Sequence, residues 1–131
     1  MLAALASLIA ESGQGTYGAD LFVGRLPSAP DNCVGVTTYQ GLAPQYVHER
    51  GDPLIDRASF QVLIRSQRQL GLLAAESKAY AIWTHLASVA NRTVGSTHFL
   101  AILPYQSPFE IPSDDNERFL YVFNGEARIR R

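Results

Sequence analysis

Apolar residues recur along the chain with two different periods. Leucine and isoleucine return at helical spacing between Met1 and Ser12, which predicts a short amphipathic helix followed by Gly13. A second, longer stripe predicts the main helix between Leu70 and Asn91, with Trp83 beside the stripe. The members of the second stripe are Leu72, Ala75, Ala79, Ile82, Leu86 and Val89.

Alternating and β-branched segments predict the strands. In the most regular of them, Phe60, Val62 and Ile64 are expected to face the core together. Asp20–Gly24 is a short segment expected to pack on the core. The predicted strands are Cys33–Tyr39, Phe60–Ser66, Thr97–Leu103 and Phe119–Arg130.

Three segments lack a regular period. Gln40 to Arg57 contains glycine, proline and charges of both signs, so it is predicted to be a long loop of functional importance. Tyr105 to Pro112 is predicted to be extended and irregular. The polar run Ser113 to Asn116 is typical of a turn.

The last predicted strand contains Asn124-Gly125, which allows two interpretations. Between alternating arms this dipeptide is a strong signal for a hairpin turn. Glycine is also the usual residue at a bulge within one long strand.

These elements predict an α+β fold. Its mainly antiparallel, twisted sheet has one long helix (about 70–90) and the short N-terminal helix packed on one face. With 131 residues the chain is expected to be one domain, 1–131, and 47% hydrophobic against 18% charged residues is ordinary for a folded protein. No apolar stretch reaches the roughly 18 residues of a membrane span.

Candidate chemistry is sparse in this sequence. Gly13–Gly18 matches the spacing G-x-G-x-x-G, but a predicted helix precedes it and an extended segment follows, which reverses the order that a dinucleotide site requires. We therefore expect no cofactor. Asp114, Asp115 and Glu117 resemble part of a calcium loop without its required glycine and glutamate spacing.

Metal binding and nucleophilic catalysis are also disfavoured. His48, His85 and His98 fall in a loop, a helix and a strand, without the short spacings of a zinc site. Cys33 is the single cysteine and begins an apolar strand, where a buried and inert thiol is the usual outcome. We expect neither a metal nor an enzymatic activity.

The irregular segments instead carry aromatic and charged residues that are typical of a binding surface. The same side chains could also fold back and cap the sheet, and the sequence does not decide between the two. The net charge of −1 and the lack of a basic stripe disfavour nucleic-acid binding. The candidate interface residues are Tyr46, Glu49, Arg50, Asp52, Asp56, Arg57, Tyr105 and Phe109.

One segment, Gly15–Val34, resembles a family of bacteriophage minor capsid proteins related to the tail terminators of siphophages. Phe60–Arg65, Gln106–Phe109 and Tyr121–Glu126 fit the same pattern, so the resemblance covers nearly the whole chain. The family has a continuous terminal strand, often with an aromatic residue where this chain has Gly125, so the resemblance favours the bulged single strand over the hairpin.

The resemblance implies a structural virion protein without enzymatic activity. Such proteins form a homo-hexameric ring at the head-proximal end of the tail tube, in the neck of the virion. The ring ends tube polymerisation and joins the tail to the head connector or stopper, while genomic DNA passes through its lumen without sequence-specific binding. The resemblance also implies assembly in the host cytoplasm, without a membrane.

The alternatives are three. The chain could be another neck component, such as an adaptor or stopper bound on the portal side. It could be a small enzyme that uses Cys33, or a nucleic-acid-binding module.

Overall fold

The computed structural model describes residues 1–39, 42–46, 54–67, 71–112 and 118–131. Two helices and eight strands are present in this described part. In chain order they are α1 (Leu2–Glu11), β1 (Leu21–Val23), β2 (Cys33–Thr38), β3 (Gln45–Tyr46), β4 (Leu54–Ser66), α2 (Leu72–Ala87), β5 (Ala90–Val94), β6 (Thr97–Pro104), β7 (Phe109–Ile111) and β8 (Phe119–Arg130).

All the strands belong to one sheet with the order β1-β2-β4-β8-β6-β5. β3 pairs with β4 beyond the end of β2, and β7 pairs with β8 beyond the end of β6. The β1–β2 pair is parallel, and the other pairs are antiparallel. The prediction of an α+β fold with a mainly antiparallel sheet is therefore confirmed.

Both helices cover the same face of the sheet. α2 contacts the central strands β4, β8 and β6, whereas α1 contacts β1 and β2 at one edge and β5 at the other. β1 and β5 are at opposite ends of the strand order, so α1 can contact both only because the sheet curls around it. The curled sheet and the two helices enclose a single hydrophobic core in the described part of the chain.

The residues predicted to face the core do so. Phe60, Val62 and Ile64 of β4 are fully buried, since alternate residues of a strand point to the same side of the sheet. On the facing strand, Phe123 packs edge-on against Phe60 with ring centroids 6.5 Å apart. The α2 stripe is buried at Ala75, Ala79, Ile82 and Leu86.

The predicted main helix was too long at its C-terminal end. α2 ends at Ala87, and the backbone N–H of Ile102 in β6 donates to the carbonyl of Val89, so sheet pairing begins within three residues of the helix. Val89 is still buried, but it lies between the end of α2 and the start of β5 rather than within the helix. Its position on the helical stripe was therefore misleading. Leu70, the predicted start, lies outside the described residues.

The predicted loop Gln40–Arg57 was wrong in two places. Gln45–Tyr46 forms β3, and β4 begins at Leu54, so both Asp56 and Arg57 lie in a strand. Their charges suggested a loop, but each is paired with a charged residue of the C-terminal segment. Charge alone therefore did not indicate a loop here.

The segment Tyr105–Pro112 is likewise not irregular throughout. Phe109–Ile111 forms β7 and pairs with Leu120–Val122 of β8. The predicted turn at Ser113–Asn116 lies outside the described residues.

The C-terminal segment forms one continuous strand rather than a hairpin. β8 pairs with β4 in one register from Ser66↔Phe119 to Ile55↔Arg130, without a shift at Asn124-Gly125. The preferred single strand is confirmed, but its bulge is not at Gly125. The register shift lies in β6, between Phe99 and Ala101.

Gly125 is required by close packing rather than by a turn. It lies opposite Phe60 in the ladder, and a Cβ built on it would lie 2.8 Å from Cζ of Phe60 and 3.1 Å from the carbonyl oxygen of Leu103. The Phe60 ring fills the space that a side chain at position 125 would occupy.

We predict that Gly125→Ala destabilises the protein by about 1–3 kcal/mol, as overpacking of a filled core does. The smaller side chain of Phe60→Leu should relieve the clash, so the double variant should cost less than the sum of the two single variants. Chemical denaturation of all four proteins tests this, and additive costs would contradict the steric explanation.

We further predict that Ile64→Ala and Trp83→Ala each lower the free energy of unfolding by about 2–5 kcal/mol. Ile64 is fully buried, and Trp83 packs partly against the core while its Nε1–H donates to the Gln106 carbonyl at 3.0 Å. Tyr17→Ala, at a side chain that is 60% exposed, is the matched control and should change stability by about 0.5 kcal/mol at most. A loss below about 1 kcal/mol in either core variant would contradict the assigned core.

Candidate interaction surface

The sheet face turned away from the helices carries an ordered set of polar side chains. Because β4 and β8 alternate in register, the residues between the core positions share this opposite face. We call this surface the open face. At its centre, three residues of β4 lie opposite three of β8 in the pairs Arg57↔Arg128, Ser59↔Glu126 and Gln61↔Asn124.

A buried carboxylate forms the centre of the open face. Glu126 is only 4% exposed, and its Oε2 accepts hydrogen bonds from Nε of Arg57 at 2.8 Å and from Nε of Arg128 at 3.0 Å. The two arginine side chains are about one-third exposed, at 27% and 37%. Two guanidinium groups thus share one carboxylate, which leaves one positive charge at the centre of the surface.

The electrostatics of this cluster keep Glu126 ionised. The hydrogen bond from Arg57 is the main cause that lowers the pKa of Glu126, and Arg128 adds to it, while burial acts in the opposite direction. Reciprocally, the hydrogen bond to Glu126 raises the pKa of Arg57. Glu126 and Arg57 are therefore charged at neutral pH.

Neutral hydrogen bonds extend the network towards β6. Nε2 of Gln61 donates to Oδ1 of Asn124 at 3.0 Å, and the hydroxyls of Ser59 and Tyr105 lie 3.1 Å apart. The backbone N–H of Tyr105 donates to the Asn124 carbonyl, and the Asn124 N–H donates to Oε1 of Gln106. These bonds fix the segment after β6 beside the centre of the open face.

Exposed apolar side chains flank the charged centre. Tyr39 is 50% exposed and donates its backbone N–H to the Ser59 carbonyl, which places it on the β2 side. Leu103 lies opposite Glu126 on the β6 side, and both Leu103 and Tyr105 are more than one-third exposed. Aromatic residues and arginine around a hydrogen-bonded centre are typical of protein interfaces.

Of the predicted interface residues, Arg57 and Tyr105 lie at the centre of the open face, and Phe109 lies on the same face, opposite Val122 of β8. Asp56 instead accepts two hydrogen bonds from Arg131, at 2.8 and 3.2 Å, and Phe109 is exposed on β7. Tyr46 belongs to β3, but its side chain is outside the described part. The remaining predicted residues, Glu49, Arg50 and Asp52, lie outside the described residues.

Sequence reasoning missed the β8 half of the surface. Asn124, Glu126 and Arg128 alternate in the sequence with the nonpolar residues Phe123, Gly125, Ala127 and Ile129, and this period of two was the available signal for a sheet face with its own polar network. The missed polar residues of the open face are Ser59, Gln61, Asn124, Glu126 and Arg128.

Two other arginines, both of them buried, bind the exposed loop between β1 and β2. Arg65 donates to the carbonyl oxygens of Pro30 at 2.6 Å and Asp31 at 3.2 Å, while Arg118 donates to the Ser28 carbonyl at 2.7 Å. Arg118 also pairs with the Asp31 carboxylate at 3.3 Å. The loop is thereby attached to the end of β4 and to the residue that precedes β8.

The described residues contain no group of three or more His, Cys, Asp and Glu that could hold a metal ion. Cys33 is fully buried, and burial raises the pKa of its thiol, which disfavours the reactive thiolate. In the described part, His85 belongs to α2 and His98 to β6, and His98 bonds the hydroxyl of Thr93 at 2.7 Å. None of the described helices is long and apolar enough to cross a membrane.

The chain is thus an α+β domain in which the open face, with its hydrogen-bonded polar centre and exposed apolar rim, suits binding of another macromolecule. The chain belongs to the bacteriophage tail terminator protein family, whose model matches residues 8–131. This match confirms the resemblance to tail terminators and supports a structural role in a phage tail.

A solved structure has the same fold. It is titled as the virion of a native gene transfer agent particle, and the two chains align with a TM-score of 0.61 at 12% identity. The alignment covers 97% of this chain and 84% of the other. A search of curated proteins found no match.

We predict that Glu126→Gln lowers the free energy of unfolding by about 1–3 kcal/mol at neutral pH, because two guanidinium groups lose their shared counter-ion. The pKa of Glu126 is lowered in the folded state, so its ionisation stabilises the fold above the unfolded-state pKa of about 4.3. This stabilisation is lost as the pH falls through the folded-state pKa. The difference between wild type and variant should therefore decrease on acidification.

Chemical denaturation from pH 7 down to about pH 3 measures this difference. Glu110→Gln is the matched control, because Glu110 is exposed and forms no ion pair with a described residue. It should have little effect at neutral pH. A Glu126→Gln cost that stays constant across the range would contradict the assigned ion cluster.

Proposed function

We propose that this chain is a tail terminator subunit that forms a homo-hexameric ring at the head-proximal end of the phage tail tube. The ring ends polymerisation of the tube and joins the tail to the head connector or stopper. The observation that carries this proposal is the family match over residues 8–131. The shared fold with a chain of a virion particle is consistent with it.

The open face supports a role in assembly rather than in catalysis. A closed ring of six copies needs a heterologous interface, in which one surface of each subunit meets a different surface of its neighbour. The open face offers a rigid surface of this kind, with charges fixed by hydrogen bonds and exposed aromatic groups around them. Its centre lies on the two longest strands, which limits its deformation.

The remaining parts of the proposal concern partners and location. The tube protein and a connector or stopper protein are the other partners, and assembly takes place in the host cytoplasm. Genomic DNA passes through the lumen without sequence-specific contacts, which agrees with a net charge of −1. The proposal requires no cofactor, metal or enzymatic activity.

Negative-stain imaging tests the proposal on the purified protein, alone and mixed with tail tubes of the same phage. We expect six-fold rings, or tubes closed at one end by a ring. As a control, tubes without the protein should show bare ends and continued growth. Because templating by the tube can lower the concentration needed for assembly, both samples are required.

Bare tube ends in the mixture would contradict the terminator function. If the protein instead bound purified portal or connector complexes under the same conditions, it would be an adaptor or stopper of the neck. Location on the particle separates these two functions, because both are structural rings of similar size.

A further inference from the structure

We propose that the open face binds a second copy of this chain through an acidic surface formed by Glu76 of α2 and Glu110 of β7. This inference deepens the proposed function, because it assigns the two surfaces that meet between neighbouring subunits. The proposed ring gives this contact its biological role, but the contact itself does not depend on the ring. The contact itself can be measured without tail tubes.

The open face carries an excess of positive charge. Arg130 lies on it two residues beyond Arg128, is exposed, and forms no ion pair with any described residue. Around the centre of the open face, Arg57, Arg128 and Arg130 are opposed by the single carboxylate of Glu126, so these four side chains carry a formal charge of +2. The whole chain has a net charge of −1, so the rest of the molecule carries −3.

The acidic surface lies on the helix side of the sheet. Tyr121 faces this side, and its hydroxyl donates to Oε2 of Glu76 at 3.1 Å. Glu110 lies opposite Tyr121 in the β7–β8 pairing. Burial first, and then both carboxylates, raise the pKa of Tyr121. Among the described residues, neither carboxylate has an arginine or lysine partner.

Exposed apolar side chains also accompany the acidic surface. Leu73, Glu76 and Tyr80 follow one another at helical spacing on α2, and all three are exposed. Leu73 is 76% exposed, the highest value among the large hydrophobic side chains of the described residues. Each of the two surfaces thus combines a net charge of one sign, positive on the open face and negative on the acidic surface, with aliphatic and aromatic groups, which is the composition of a protein interface.

The positions of the two surfaces determine the type of contact. They lie on opposite faces of the same sheet, so one copy cannot present both of them to a single two-fold partner. Contact between the open face of one copy and the acidic surface of the next is therefore heterologous, and it repeats around a ring when the rotation closes. Charge complementarity fixes the register of such a contact and excludes copies that meet face to face with like charges.

A second copy fits the open face better than nucleic acid does. The three arginines are too few for a basic stripe that follows a phosphate backbone. The two acidic residues of another copy, by contrast, are opposite in sign to the excess charge of the open face and equal to it in number.

Charge reversal tests the contact by sedimentation velocity over a range of protein and salt concentrations. Arg130→Glu and Glu110→Arg should each weaken self-association about tenfold or more, because each places like charges against each other. The double variant Arg130→Glu/Glu110→Arg should recover most of the affinity, because the opposite signs meet again. Self-association of the wild type should also weaken as salt increases.

Arg25→Glu is the matched control, since Arg25 is exposed in the loop between β1 and β2 and should leave self-association unchanged. Thermal unfolding of every variant establishes that the fold is kept. A double variant that associates no better than the weaker single variant would overturn the assignment, as would a wild type that stays monomeric at every concentration. Duplex DNA binding that is lost in Arg130→Glu, with self-association unchanged, would assign the open face to nucleic acid instead.

Tube capping is scored separately, so the two proposals can fail independently. If the tubes are capped but the charge-reversal variants show that the open face does not meet the acidic surface, only this contact is overturned. Rings that form through this contact but do not bind tubes would overturn only the terminator function.

Discussion

The pairing of β4 with β8 is the constraint on which the rest of the structure depends. Their register runs without interruption from Ser66↔Phe119 to Ile55↔Arg130, and every other strand except β1 and β5 pairs directly with one of these two. Because side chains alternate along a strand, this single register decides which residues reach the core and which reach the open face. If β8 slipped by one residue against β4, Phe123 would be exposed and Glu126 would be turned towards the helices.

The same register explains two residues that look out of place in a long strand. Gly125 interrupts a run of large side chains because the ring of Phe60, its direct partner, already fills the space beside it. Glu126 is buried in the middle of a sheet because Arg57 reaches it from the facing strand and Arg128 from the same strand. Both features result from neighbours across the sheet, and neither reflects the local conformation of the chain.

This distinction also determines what could be predicted from the sequence. Phe60, Val62 and Ile64 reveal their common face through local alternation, and the buried α2 stripe reveals itself through helical spacing. Arg57 was assigned to a loop because its partner Glu126 is 69 residues away, and no local pattern reports such a pairing. Val89 continues the helical stripe, yet its backbone pairs with β6, so tertiary pairing overrides the local period. The interface residues were predicted from loop composition, whereas the ordered surface lies on regular strands.

Burying the carboxylate of Glu126 between two arginines is a costly way to stabilise a sheet. Well-packed hydrophobic residues would stabilise it as well or better. Its value lies in selectivity. A hydrophobic surface in the same place would associate with any apolar surface that it met, including another copy of itself in the wrong orientation. Two arginines that share one carboxylate favour a partner that brings negative charge and penalise one that does not. In the proposed ring, where each subunit joins its neighbours in one register, a charged centre with an apolar rim provides this discrimination, and the β4–β8 pair keeps the charges in position.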